Sequence, residues 1–129
     1  MTDGLRQERR ERPLVALVGS VPLLAEALRA ALDFADLQSF DAKGGEIGGL
    51  LSWLRPDAVV VDGEKEATDA AAYALAHPLP VLHISLGERA LRLFIGDHWR
   101  EIPAGEAGEP ETVRNVLAGA LFAPAGVPR

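Results

Sequence analysis

The amino-acid sequence predicts an α/β domain: a three-layer, doubly wound parallel sheet of about five strands. Three observations point there. Short apolar runs alternate along the chain with segments whose apolar residues recur at helical spacing. The runs are apolar throughout rather than at every second residue, the pattern of strands covered on both faces. The 129 residues, 48% hydrophobic and 25% charged, make one domain with a sizeable core and leave no room for a second module.

The elements follow in order. Residues 1–12 form a charged leader, with Arg6, Arg9, Arg10 and Arg12 diluted by Glu8 and Glu11; mixed charge without apolar periodicity builds no core. Leu14 to Val18 is the first buried strand, closed by Gly19-Ser20. Leu24, Leu28 and Leu32 then recur at i, i+4 and i+8, giving an amphipathic helix from about Pro22, with Ser20 placed to cap it. Residues 37–42 alternate weakly and suit an edge strand, and Gly44-Gly45 breaks the chain. A short helix from Glu46 to Leu54 carries Ile47, Leu50, Leu51 and Leu54 on one side and stops at Arg55-Pro56.

Ala58 to Val61 is the most strand-like stretch and ends at Asp62-Gly63. Residues 67–76 read as a helix stopped by His77-Pro78, and 79–86 as another apolar strand. Residues 88–103 allow either a short helix or a hairpin. Alternation of Leu91, Leu93 and Ile95 before Gly96-Asp97, with a last strand near Trp99–Ile102, favours the hairpin. Helical spacing through Val113, Val116, Leu117 and Leu121 closes the domain, which spans 13–122; residues 123–129 form a flexible tail.

Charge and composition exclude whole classes of function. The chain carries −6 overall, but residues 14–128 hold 16 acids against 8 bases. A body so acidic repels a phosphate backbone, so direct nucleic-acid binding is not expected. No apolar run approaches the roughly 20 residues of a membrane-spanning helix, and no signal peptide stands at the N-terminus. The absence of cysteine removes thiol nucleophiles and thiolate metal sites and makes a cytoplasmic location the expectation.

Three segments resemble the receiver domain of bacterial response regulators, closest to receivers that precede helix-turn-helix output domains. Leu17-Val18-Gly19-Ser20-Val21-Pro22-Leu23, continuing into Glu26–Leu32, is similar to that family's first strand, acidic turn and first helix. Arg55–Asp62 is similar to its third strand, with Asp62 at the phospho-acceptor position, and Leu79–Ser85 to its fourth, with Ser85 at the switch-hydroxyl position. The resemblance covers residues 13–122 and implies a flavodoxin-like sheet.

The departures change the function it implies. Receivers place two acids after the first strand to hold magnesium; Gly19 and Ser20 stand there instead. A lone carboxylate holds that ion poorly, and phosphoryl transfer to aspartate needs the cation to neutralise developing charge. The family's lysine should fall near Ile102-Pro103, yet no lysine follows Lys65, and Arg100, the nearest cation, is offset. The span from Ser85 to Pro103 is also short for a full fourth helix and fifth strand, so that helix is short or replaced by a hairpin. The expectation is a pseudo-receiver without phosphorylation chemistry, with no cofactor and no metal.

The remaining motifs have plain structural readings beside any functional one. Asp62-Gly63 suits a turn as well as a phospho-acceptor. Ser85 can satisfy a local backbone donor. The stretch Gly19-Ser20-Val21-Pro22 lacks the pattern of a phosphate-binding loop and suits a helix cap. His77, His83 and His98 are too scattered for a zinc motif, no nucleophile elbow is present, and Glu64-Lys65-Glu66 reads as a solvated loop. Phe94, His98, Trp99 and Arg100 combine residue types common in binding hot spots, although Phe94 and Trp99 can equally close the core.

The expected function is therefore that of a non-enzymatic regulatory domain acting on another protein, with a homodimer through the terminal helix as one arrangement. Two alternatives remain: an atypical receiver phosphorylated on Asp62, and a module binding a small anion or nucleotide at the strand carboxyl ends.

Overall fold

The computed structural model describes residues 12–19, 22–41, 47–85, 90–102 and 110–122. The leader before Arg12, the Gly44-Gly45 break, the Ser20 cap, and the tail 123–129 lie outside the described residues. Ten elements follow one another: β1 (Leu14–Val18), α1 (Pro22–Ala31), β2 (Asp36–Phe40), α2 (Ile47–Leu54), β3 (Ala58–Val61), α3 (Glu64–Ala76), β4 (Val81–Ser85), β5 (Ala90–Ile95), β6 (His98–Ile102) and α4 (Pro110–Phe122).

The strands form one six-stranded sheet in the order β2-β1-β3-β4-β5-β6. Its first four strands are parallel, whereas β4 pairs β5 and β5 pairs β6 antiparallel. The sheet is thus mixed, which corrects the doubly wound, flavodoxin-like parallel sheet of about five strands that the sequence suggests. The reason is connection length. A parallel return needs a crossover of a dozen or more residues, and only residues 86–89 separate β4 from β5, so the chain must reverse. It reverses again at Gly96-Asp97. Gly96 has φ +72° and Asp97 does not share the positive φ, the backbone pattern of a two-residue hairpin turn with glycine first.

Both faces of β1, β3 and β4 are buried, as their largely apolar runs require; β2, at the sheet edge, buries only Leu37 fully. On one face Val15, Leu17, Val60, Leu82 and Leu91 pack beneath Leu28 and Leu32 of the α1 segment and Val113 and Leu117 of α4. On the other, Ala16, Val18, Val59, Val61 and Val81 meet Ile47 and Leu51 of α2 and four alanines of α3, Ala67, Ala70, Ala71 and Ala74. Those alanines let α3 lie close on the sheet. The apolar stripe of α4, Val113 and Leu117, packs into this core.

Two boundaries depart from the sequence reading. Helix α3 begins at Glu64 rather than 67, because Glu64 and Glu66 occupy its first turn, where carboxylates interact favourably with the helix dipole. Arg12, assigned to the charged leader, is tied to the body: its Nε donates to Asp36 Oδ1 at 3.0 Å and its Nη2 to the Ala35 carbonyl at 2.9 Å.

Candidate functional site

The carboxyl ends of β1 and β3 lie side by side. Val18 pairs with Val61, so the residues that follow, Gly19 and Asp62, come level. The Gly19 N–H donates to the Phe40 carbonyl at 3.1 Å, which anchors this backbone to β2. The Asp62 carboxylate lies directly over the bare Cα of Gly19. A Cβ there would stand 2.7 Å from Asp62 Oδ1 and 2.8 Å from its Cγ and Oδ2, closer than side chains tolerate. The space that a side chain at position 19 would take is therefore occupied by Asp62 itself. Ser20, read from the sequence with Gly19 as a degenerate metal position, lies outside the described residues.

Further acids gather where α3 starts. A Cβ on Gly63 would collide with the carboxylate of Glu66, so Glu66 lies back over the helix entrance from the third helical position. Glu64 faces the neighbouring strands. Among the described residues no group of three or more histidine, cysteine or acidic side chains is placed to hold a metal ion.

A cation at this end of the sheet that the sequence reading missed is Arg92. His83 on β4 is opposite Arg92 on β5. His83 is 4% exposed, and its Nδ1 accepts from Arg92 Nη2 at 2.9 Å. A permanently charged guanidinium can only donate, so this contact assigns the Nδ1 lone pair to the bond and places any ring proton on Nε2. The same guanidinium sits 4.5 Å from the centroid of the Trp99 ring and 3.4 Å from Glu64 Oε2. Trp99 is set edge-on to Phe94, with centroids 5.2 Å apart. Arg92 thus links α3, β4 and β6, its guanidinium engaged by Glu64, His83 and the Trp99 face. One signal in the sequence could have found it: His83 and Arg92 are the polar interruptions of two adjacent apolar runs, and antiparallel pairing brings them together.

The other sequence-selected residues fall in different places. Ser85 is the last residue of β4, half-buried and paired with Ala90. Phe94 is buried in the core, and Trp99 is half-buried beside it. His98 and Arg100 are exposed on the sheet-edge strand β6, with His98 Nδ1 3.2 Å from Asp97 Oδ1. The four do not form one continuous face: Phe94 is withdrawn from the surface, while His98 and Arg100 remain on it. His77 caps the C-terminal end of α3 and stacks on Tyr73, ring centroids 4.3 Å apart.

Comparison with known proteins gives no match to a family model, to a curated protein or to a solved structure. Among the described residues no helix is long and apolar enough to cross a membrane.

Proposed function

We propose that the chain is a non-enzymatic regulatory domain that acts by contact with another protein and does not use magnesium-dependent phosphorylation of Asp62. The observation that carries this reading is the Asp62 carboxylate seated on Gly19. A phospho-acceptor needs an open approach for the phosphoryl group and a divalent cation held by neighbouring acids; here its carboxylate fills the adjacent space. The likeness to receivers enters this proposal through the segments 17–32, 55–62 and 79–85, and stops at the antiparallel β5 and β6. Contact as the mode of action is supported by Trp53, 77% exposed on α2, and Leu75, 60% exposed on α3. Large apolar side chains left in water are common at binding surfaces.

The test is affinity capture from the native host with three forms of the chain: unaltered, Asp62→Asn and Trp53→Ala. The proposal expects one partner retained equally by the unaltered and Asp62→Asn chains and weakened by Trp53→Ala. A partner that requires the Asp62 carboxylate would overturn it.

A further inference from the structure

At the opposite end of the sheet from Asp62, the C-terminal ends of α2 and α3 flank an open cleft of about 470 Å³, within the range of small-molecule sites. Ser52, Arg55 and Pro56 form one wall; Tyr73, His77, Pro78 and Leu79 form the other. The Tyr73 and His77 rings of that wall stack on each other, centroids 4.3 Å apart at an interplanar angle of 13°, and two prolines and a leucine add apolar lining. The Arg55 guanidinium brings a positive charge to the lining, and among the described residues no carboxylate lines the cleft.

Helix C-termini ordinarily attract cations through their unpaired carbonyls. Here two of those carbonyls are already used. Leu51 O accepts from the Arg55 N–H at 2.8 Å and from the Tyr73 hydroxyl at 3.2 Å, and Tyr73 O accepts from the His77 N–H at 2.9 Å. The second, independent observation is backbone strain. Arg55 has φ +54°, the one non-glycine residue with positive φ among the described residues. It follows the last turn of α2, at a position where glycine is favoured. Strain of this kind gathers at ligand sites, and here it sets a guanidinium at the edge of the cleft.

We propose that this cleft binds a small organic anion: a carboxylate on a planar, apolar body. The guanidinium of Arg55 pairs the carboxylate, and the ring lies against the Tyr73–His77 stack between Pro56 and Leu79. This site is separate from Asp62 and does not depend on the reading given above for that residue.

The experiment is an amide-resolved NMR titration of the full chain with four probes: benzoate, benzamide, benzamidine and inorganic phosphate. Benzoate is expected to give saturable shifts confined to Ser52, Arg55, Tyr73 and His77, with Kd near or below about 1 mM. Benzamide and benzamidine should bind at least tenfold more weakly, and phosphate likewise. Arg55→Gln, which keeps a side chain at the strained position, should weaken benzoate at least tenfold without changing the Tm. Arg55→Gly should weaken it equally while raising the Tm by roughly 2–4 °C, because the left-handed strain is relieved. Absence of saturable benzoate binding overturns the proposal. So does equal binding of benzamide, benzamidine or phosphate, or undiminished binding by either variant.

Discussion

Placing a methyl group on Gly19 tests the packing of Asp62 directly. The backbone of Gly19 is not left-handed, since Gly96 is the one described glycine with positive φ, so alanine meets no conformational penalty there. On that ground alone Gly19→Ala should stabilise by about 0.4–1 kcal/mol through the unfolded chain. Against it stands the collision. The new Cβ would lie 0.6–0.7 Å inside the 3.4 Å of ordinary contact with three atoms of the Asp62 carboxylate. Asp62 must rotate off its rotamer, at about 0.5–1.5 kcal/mol. The interaction it already makes is disturbed, at about 1 kcal/mol more. The expected net change for Gly19→Ala is a loss of about 1 kcal/mol. In an Asp62→Ala background the collision is gone, and the same substitution should stabilise. Urea denaturation of the four chains in the cycle measures a coupling of about 2 kcal/mol. An effect of Gly19→Ala equal in sign and size in both backgrounds would refute the reasoning.

Three further outcomes follow from the packing. Gly48 and Gly49 stand in α2 with open space where a Cβ would be, so either one changed to alanine should raise stability by about 0.8–1 kcal/mol by thermal melting. Leu117 of α4 is 0% exposed beneath the sheet, and Leu117→Ala should cost about 2–5 kcal/mol in urea denaturation. Arg92→Met removes the 2.9 Å partner of buried His83 and the cation over Trp99; a loss of about 1–3 kcal/mol and a changed Trp99 fluorescence are expected.

The elements were legible in the sequence because burial on both faces leaves an unbroken apolar run, as in Val59-Val60-Val61, and burial on one side leaves a helical stripe, as in Val113 and Leu117. Strand direction was not legible in that pattern, since a buried strand looks the same read either way. It was carried instead by the short span 86–89 and by Gly96-Asp97. The start of α3 was missed because Glu64-Lys65-Glu66 has no apolar member; its helical state rests on the dipole and on Glu66 over Gly63. Arg92 escaped because alternation assigns a lone arginine in a strand to solvent, whereas register sets it against His83. Gly19 and Asp62 were both placed at strand ends, but their contact depends on Val18 pairing with Val61, a register no spacing along the chain specifies. Arg55 read as a simple helix stop; its left-handed backbone became visible only in three dimensions.

The most direct test of the account is whether the Asp62 carboxylate can be phosphorylated. The full chain is incubated with acetyl phosphate and Mg²⁺, and its intact mass is measured. The mass should stay unchanged, and the Asp62→Asn chain should behave identically. A phosphate adduct on the unaltered chain that Asp62→Asn abolishes would contradict the account.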